Sequence, residues 1–319
     1  MLAIIAKNRK TIMSLADIHA AFHKQKQTES DIAESIAKKW EFGGDVVSEP
    51  LKTALSTGFF RKTDEKRAKG LHPSQIYGMC YRAKMYDENF LEVMKDDPAI
   101  TGMTFEESIS ATLQAKFDIG HAIHHWYQNH YLGQMGILKG GWRCPQCESI
   151  VEGFRPADVC SCGCGRWRFV EPEILIPELG IVGHCDGIID RGDGPWVMDI
   201  KTIDPDRFRD LKEPSLSYIY QVHCYMMGLN IRRSIILYVD KSSNMANPTK
   251  EIKIYFDPLI EAEIRRIAED YYKMNAGKIL VPASCQNKSC AAAKRCAFRD
   301  ICFGKFSDIF EQRWKESNG

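Results

Sequence analysis

Residues 183–202 read GHCDGIIDRGDGPWVMDIKT. They lie across two short apolar runs, IVGHCDGIID (181–190) and PWVMDIKTI (195–203), joined by the tight turn RGDGP. That is the pattern of two neighbouring strands. Asp186 falls in the middle of the first run and Asp199 inside the second, with Lys201 two residues further on. Residues two apart in a strand point to one face, so Asp199 and Lys201 project side by side. The turn brings Asp186 close to Asp199. Charges set among Ile181, Val182, Ile188, Ile189, Trp196, Val197, Met198 and Ile200 are costly unless they are paired or hold a metal. Two carboxylates and an amine make a site for a hard cation, because Mg²⁺ or Mn²⁺ takes one or two carboxylates and keeps several waters. Such an ion lowers the pKa of a bound water and stabilises an attacked phosphate. A lysine beside it neutralises developing charge. A purely structural Asp199–Lys201 ion pair is the competing reading of the same residues.

Working outward, EPEILIPEL (171–179) predicts a strand before this pair, and SLSYIYQVHCYMMGLN (215–230) a helix after it. SIILYVDK (234–241) and EIKIYFDP (251–258) predict two more strands, and PLIEAEIRRIAEDYYKMNAG (258–277) a long amphipathic helix ending at Gly277. Upstream, HPSQIYGMCYRAKMYD (72–87) predicts a helix opening near Pro73 and Ser74. KFDIGHAIHHWYQNHYL (116–132) predicts another, with Phe117, Ile119, Ile123, Trp126, Tyr127 and Leu132 on its buried side. The order is that of a mixed α/β core with helices against a sheet. Residues 1–70 predict a charged helical extension, in which FRKTDEKRAKG (60–70) is a basic run suited to a solvated surface or to DNA-backbone contact.

Within this frame Gln221 and Tyr225, four apart on a helix, share a face. His124, one turn after Gly120, can offer an imidazole nitrogen, which favours Mn²⁺ over Mg²⁺; His121 and His125 compete with it. His184, two before Asp186, suits a DNA contact or a packed strand position.

Composition limits the alternatives. The chain has 319 residues, 44% hydrophobic and 27% charged, enough for one large domain or two modest ones. Lys plus Arg is 43 against 42 Asp plus Glu, which excludes a generally polybasic binder but not a local basic groove. No apolar stretch approaches the roughly 18 residues of a membrane span. The start, MLAIIAKNRK, has its apolar patch before its basic residues, the reverse of a signal peptide, so a cytoplasmic protein is expected. Twelve cysteines in such a chain argue for metal over disulfides.

GxxxH (Gly120 to His124), GHCDG (183–187), DIK (199–201) and QxxxY (Gln221 to Tyr225), in this order, resemble the PD-(D/E)XK nucleases of the RecB-like branch over roughly 72–304. The resemblance implies a restriction-endonuclease-like core, a mixed central sheet flanked by helices. It implies His124, Asp186, Asp199 and the main-chain carbonyl of Ile200 as ligands of Mg²⁺ or Mn²⁺, Lys201 as the catalytic lysine, and Gln221 and Tyr225 as the fourth motif. Glu173 matches a frequent acidic position. The implied activity is metal-dependent hydrolysis of DNA, most naturally exonuclease action on ends or single strands in phage or bacterial replication, recombination or repair. The chain has no GxxxxGK[ST] motif, so unwinding would come from a helicase or recombination partner. A non-enzymatic DNA-end or single-strand binding module and a CRISPR spacer-processing nuclease remain alternatives. A zinc-ribbon transcription factor leaves the acid–acid–lysine set unexplained.

The cysteines bunch in two places. Segment 141–168 carries CPQC at Cys144 and Cys147, a strong zinc-knuckle signal, followed by Cys160, Cys162 and Cys164, of which only two are needed. It resembles a zinc-ribbon insertion. Arg143, Arg155, Arg166 and Arg168, with Trp142 and Trp167, offer charge and stacking for single-stranded nucleic acid, or else a solvated rim. In the tail (280–304), Cys285, Cys290, Cys296 and Cys302 are separated by four, five and five residues, wider than zinc knuckles. A self-contained zinc site is one reading. Iron–sulfur clusters also take four thiolates. Here the resemblance narrows to iron–sulfur nucleases of the AddB and CRISPR-associated types, in which one Cys precedes the core and three follow. It implies a [4Fe–4S] cluster on Cys80, Cys290, Cys296 and Cys302, with Cys285 as the alternative to Cys290. Such a cluster would staple helix 74–86 to the tail, worth several kcal/mol on the order of a long-loop disulfide. Cys185 and Cys224 suit buried small hydrophobes.

Overall fold

The structure, a computed structural model, describes residues 70–98, 111–242 and 248–316. The extension expected over 1–70 lies, but for Gly70, outside the described residues. The chain order is α1 (Tyr81–Val93), α2 (Ala111–Trp126) running on into a π-helical turn (Tyr127–Leu132), β1 (Leu138–Arg143), β2 (Ile150–Phe154), β3 (Arg168–Val170), β4 (Glu173–Ile176), β5 (Ile181–His184), β6 (Gly187–Asp190) and β7 (Pro195–Ile203). There follow α3 (Pro205–Asp210), α4 (Leu216–Leu229), β8 (Arg233–Asp240), β9 (Thr249–Tyr255), α5 (Pro258–Ala276), α6 (Ala291–Lys294), α7 (Arg299–Cys302) and α8 (Phe306–Glu316).

The main sheet runs β2-β1-β6-β7-β8-β9, with β3 also paired to β1, while β4 and β5 form a separate pair. Only β7 and β8 are parallel, and α4 makes the crossover between them. One sheet face buries Leu138, Trp142, Ile189, Met198 and Ile200 beneath Ile123, Tyr127 and Leu132 of α2 and its extension. The other buries Val197, Ile236 and Tyr238 against Val222, Tyr225 and Met226 of α4. A further core joins α1, α5 and α8 through Tyr86, Phe90, Ile264, Tyr271, Phe310 and Trp314. Local chemistry sets the limits of α5. Pro258 fits the first turn, the Asp257 carboxylate accepts the Leu259 N–H at 2.8 Å, and Ile264, Ala268 and Tyr271 recur at helical spacing on its buried side.

Three expectations are corrected. IVGHCDGIID is two strands, not one: β5 pairs with β4, whereas β6 pairs with β7 and β1. Asp186 therefore stands in the break between them. Gly187, at φ 149°, turns the chain there in a conformation that side-chain-bearing residues avoid. The Asp186 carboxylate takes the Ile200 N–H at 2.5 Å, occupying a donor on the β6-facing edge of β7. Within segment 141–168, the strands β2 and β3 pair with β1 and so extend the main sheet. The first helix starts only at Tyr81. Pro73–Gln75 makes a single 3₁₀ turn, Gly78 at φ 69° interrupts, and Cys80 is the N-cap. On α2, Phe117, Ile119 and Trp126 are exposed, because the face that meets the sheet is the one through Ile123 and Tyr127.

Candidate active site

Five parts of the chain converge on one point. β7 carries Asp199 and Lys201 on one face, and the Lys201 ammonium lies 2.8 Å from Asp199 Oδ2 and donates to Oδ1 at 3.0 Å. The break before β6 supplies Asp186. From α2, His124 sets Nδ1 3.2 Å from Asp186 Oδ1. The residue that follows β3 by one, Glu171, places its carboxylate so that ligand atoms of His124, Glu171 and Asp186 all lie within 4.8 Å of one another. On α4, the Gln221 amide donates to the Tyr225 hydroxyl at 2.6 Å and to Asp199 Oδ1 at 3.4 Å. One turn earlier the Tyr218 ring lies 4.7 Å from the Lys201 ammonium.

The acids are strained electrostatically. Asp199 is 2% exposed, and burial pushes its carboxyl up to about 6, with Asp186 adding to the rise against the pull of Lys201. Asp186 suffers the same burial, yet the His124 hydrogen bond, the Ile200 N–H and Lys201 together hold it below the usual carboxylate range. Glu171 is raised by burial and then by the Asp186 charge. Burial disfavours the His124 imidazolium, but the Asp186 hydrogen bond and charge outweigh it and raise its pKa. Lys201 is likewise raised, Asp199 overcoming the effect of burial. The Asp199 Oδ2 atom is buried without a well-directed hydrogen bond, although Lys201 lies beside it. Crowded acids, a nearby imidazole and an orphaned buried carboxylate oxygen fit a hard divalent cation.

The structure thus brings together His124, Asp186, Asp199, Lys201, Gln221 and Tyr225. Ile200 joins through its N–H to Asp186. Glu173 is not there. It is exposed on β4, opposite the exposed His184 of β5. Two residues earlier, Glu171 takes the place at the site. The doublet Glu171-Pro172-Glu173 carries two acids of equal strand parity, and only the point where β3 ends separates them. Gln128 was also not visible from sequence, because a π-helical turn sets its direction.

The cysteines form two centres, and none is in a disulfide. Cys144, Cys147, Cys160 and Cys162 hold their sulfurs within 4.8 Å of one another, with Cys144–Cys162 at 3.5 Å and Cys147–Cys160 at 3.4 Å. Zn–S bonds of about 2.3 Å in a tetrahedron put sulfurs about 3.8 Å apart, so the set fits zinc. Cys164 is outside it, turned to the Arg166 carbonyl at 3.8 Å. The Ser149 hydroxyl leads the contacts that hold the Cys160 thiol down to about 6. The Cys164 amide pulls Cys162 down, but burial and the neighbouring thiols push it up to about 12. Trp142 and Trp167 are buried, their indole N–H groups donating to the carbonyls of Gly153 and Asp158 at 3.1 Å each, so neither is available for stacking on bases.

The second centre is a pocket lined by Cys80, Cys285, Cys296 and Cys302 with Tyr86, Ala293 and Phe298. Its sulfurs are not gathered as tightly as those of the knuckle. All-thiolate donors in a wider apolar pocket fit an iron–sulfur cluster better than a single zinc. Cys290 stands beside this pocket, its thiol in hydrogen-bond contact with that of Cys285. It is the N-cap of α6, and its sulfur accepts the Ala293 N–H at 3.3 Å.

A mixed sheet flanked by helices, with the acid–acid–lysine set on its central strands, defines a nuclease of the restriction-endonuclease-like class. The chain belongs to the PD-(D/E)XK nuclease superfamily, whose family model matches residues 141–303. Membership makes it a nuclease and implies DNA as substrate. Among solved structures, that of SSO0001 is 17% identical, covering 81% of this chain and 96% of the other, with a TM-score of 0.38. The alkaline exonuclease LHK-Exo from Laribacter hongkongensis is 14% identical, covering 66% of this chain and 89% of its own, with a TM-score of 0.37. Neither likeness adds to the family assignment. No curated protein matches the chain. No helix among the described residues is long and apolar enough to cross a membrane.

Proposed function

We propose that this protein is a divalent-metal-dependent deoxyribonuclease, an exonuclease that works on DNA ends or single-stranded regions in recombination or repair, with strand separation supplied by a helicase or recombination partner. The observation that carries the metal-dependent reading is the buried Asp186–Asp199 pair, beside Lys201 and within reach of His124 and Glu171. The exonuclease form rests on the RecB-like order of GxxxH, GHCDG, DIK and QxxxY.

His124, Glu171, Asp186, Asp199 and the Ile200 carbonyl would hold Mg²⁺ or Mn²⁺. When bound, such an ion acidifies water and neutralises charge on an attacked phosphate. Lys201 keeps its proton at Nζ and presents a positive charge where negative charge builds. Gln221 steadies Asp199, and Tyr225 fixes the Gln221 amide. The domain plan that goes with this reading is a nuclease domain over 71–319. Zinc sits on Cys144, Cys147, Cys160 and Cys162, and a [4Fe–4S] cluster on Cys80, Cys290, Cys296 and Cys302, with Cys285, which lines the pocket, as the alternative to Cys290.

The test uses anaerobically purified protein and end-labelled single- and double-stranded DNA with Mg²⁺, Mn²⁺ or EDTA. Degradation should require the metal, and Lys201→Ala should lower it by about 10²–10³-fold while DNA binding persists. Binding without cleavage under every metal would instead make this a DNA-end binding module on a nuclease fold.

A further inference from the structure

The ligands His124, Glu171 and Asp186 come from three separate elements, and one side chain ties them together. Gln128 is 6% exposed. Its amide nitrogen donates to Glu171 Oε1 at 2.9 Å and to the main-chain carbonyl of Asp186 at 3.1 Å. Both partners are acceptors, so the NH₂ end must face them. A π-helical turn aims it there. After Trp126 the helix widens, and the Gly133 N–H closes onto the Gln128 carbonyl at 3.1 Å, five residues back. The extra residue in the turn also directs Asn129 to β3, where its Oδ1 accepts the Phe169 N–H at 2.7 Å, two residues before Glu171. Widened turns of this kind gather at functional sites.

We infer that Gln128 is a positioning residue for the hydrolytic metal site. It holds the Glu171 carboxylate and the Asp186 peptide in the arrangement that lets them share one cation with His124. Without it Glu171, crowded by Asp186, would turn away from the like charge. The inference rests on the metal-dependent reading proposed above. Outer partners that orient metal ligands typically carry about 10–100-fold in metal affinity.

The experiment measures Mn²⁺ affinity by titration calorimetry on the full protein, and separately the KM for DNA and the Mn²⁺ concentration at half-maximal cleavage. Gln128→Met keeps the volume and removes the amide. Gln128→Asn keeps the amide but shortens its reach, and serves if the first variant does not fold. Either should weaken Mn²⁺ binding about ten-fold or more, leave the KM for DNA unchanged, and recover cleavage at high Mn²⁺. In a Glu171→Gln background the same change should have a smaller further effect, because only the tie to the Asp186 carbonyl still acts on a charged ligand. Unchanged Mn²⁺ affinity, or an equal loss in both backgrounds, overturns the inference and leaves the parent reading standing. A wild-type protein that binds no Mn²⁺ overturns both.

Discussion

At the scale of single residues, buried ionisable groups divide into those the site uses and those the fold uses. Asp199 and Lys201 belong to the first kind, and the two-residue spacing that puts them on one face is a local property of a strand, which is why DIK was legible in the sequence. Glu171 was not, because choosing it over Glu173 needs the exact end of β3. His223 belongs to the second kind. It is 1% exposed, its Nδ1–H donates to the Ile219 carbonyl at 2.7 Å, and its Nε2 accepts the Asp257 N–H at 3.1 Å. Those two bonds define one neutral tautomer. Burial holds its pKa below the ordinary value, although the Ile219 carbonyl opposes this. In the unfolded chain the imidazole takes a proton near about 6.5. The native state resists that proton, so the contribution of His223 to stability is present above about pH 6.5 and is lost as pH falls toward its folded pKa. Denaturant melts of the wild type from pH 7.5 to 5 should lose stability by up to about 1.4 kcal/mol per pH unit from this group. His223→Gln, which keeps a donor and an acceptor, should flatten that part of the curve. An identical acid profile in the variant would remove His223 as its source.

At the scale of elements, periodicity located α4, α5, β7, β8 and β9, where apolar spacing, caps and turn residues agree. Two elements escaped it. The break at Cys185–Asp186 was hidden inside a continuous apolar run, because what ends β5 is the backbone angle of Gly187 and not a polar residue. The π-helical turn after Trp126 left only a faint trace, the five-residue step from Tyr127 to Leu132, which a widened turn and not an ordinary helix brings to one face. Its structural requirement is at Gly133. A Cβ there would lie 2.5 Å from the Trp142 ring and 2.6 Å from the Gln128 carbonyl oxygen. Trp142 is fully buried and pinned by its bond to Gly153, so it cannot easily yield. Gly133→Ala should therefore destabilise the fold by about 1–3 kcal/mol, the usual effect of overpacking. Thermal melting reads that loss. It should also weaken Mn²⁺ binding, because the displaced carbonyl belongs to the turn that aims Gln128. A variant as stable as wild type would mean that the turn reopens without effort.

At the scale of the whole molecule, the two thiolate centres serve different parts of the described chain. The knuckle closes the β1–β2 turn and the approach to β3, at the Arg143–Arg168 end of the β1–β3 pair and away from Glu171. The other centre lies where Cys80, just before α1, meets residues more than 200 positions later. Cysteine clustering made both legible as thiol clusters, but spacing alone could not rank Cys285 against Cys290, whose thiols the fold brings into contact. The α1–α8 contact would not depend on the proposed cluster alone. Phe310 meets Tyr86 with ring centroids 5.1 Å apart and Phe90 at 5.5 Å, and stacks on Trp314 at 5.4 Å. Arg82 adds hydrogen bonds to Ser307 and to the Val281 carbonyl. Loss of the cluster should then loosen this unit without melting the sheet, since local opening follows local contact strength. Hydrogen exchange on Cys302→Ser protein should show faster exchange in α1 and α8, with β6, β7 and β8 protected as in wild type, together with loss of iron but not of zinc. Phe310→Ala should cost about 3–5 kcal/mol by cavity formation and open the same helices even with iron bound. If Cys302→Ser instead released zinc or exposed β7, the two centres would form one cooperative unit, and separate roles for them would have to be abandoned.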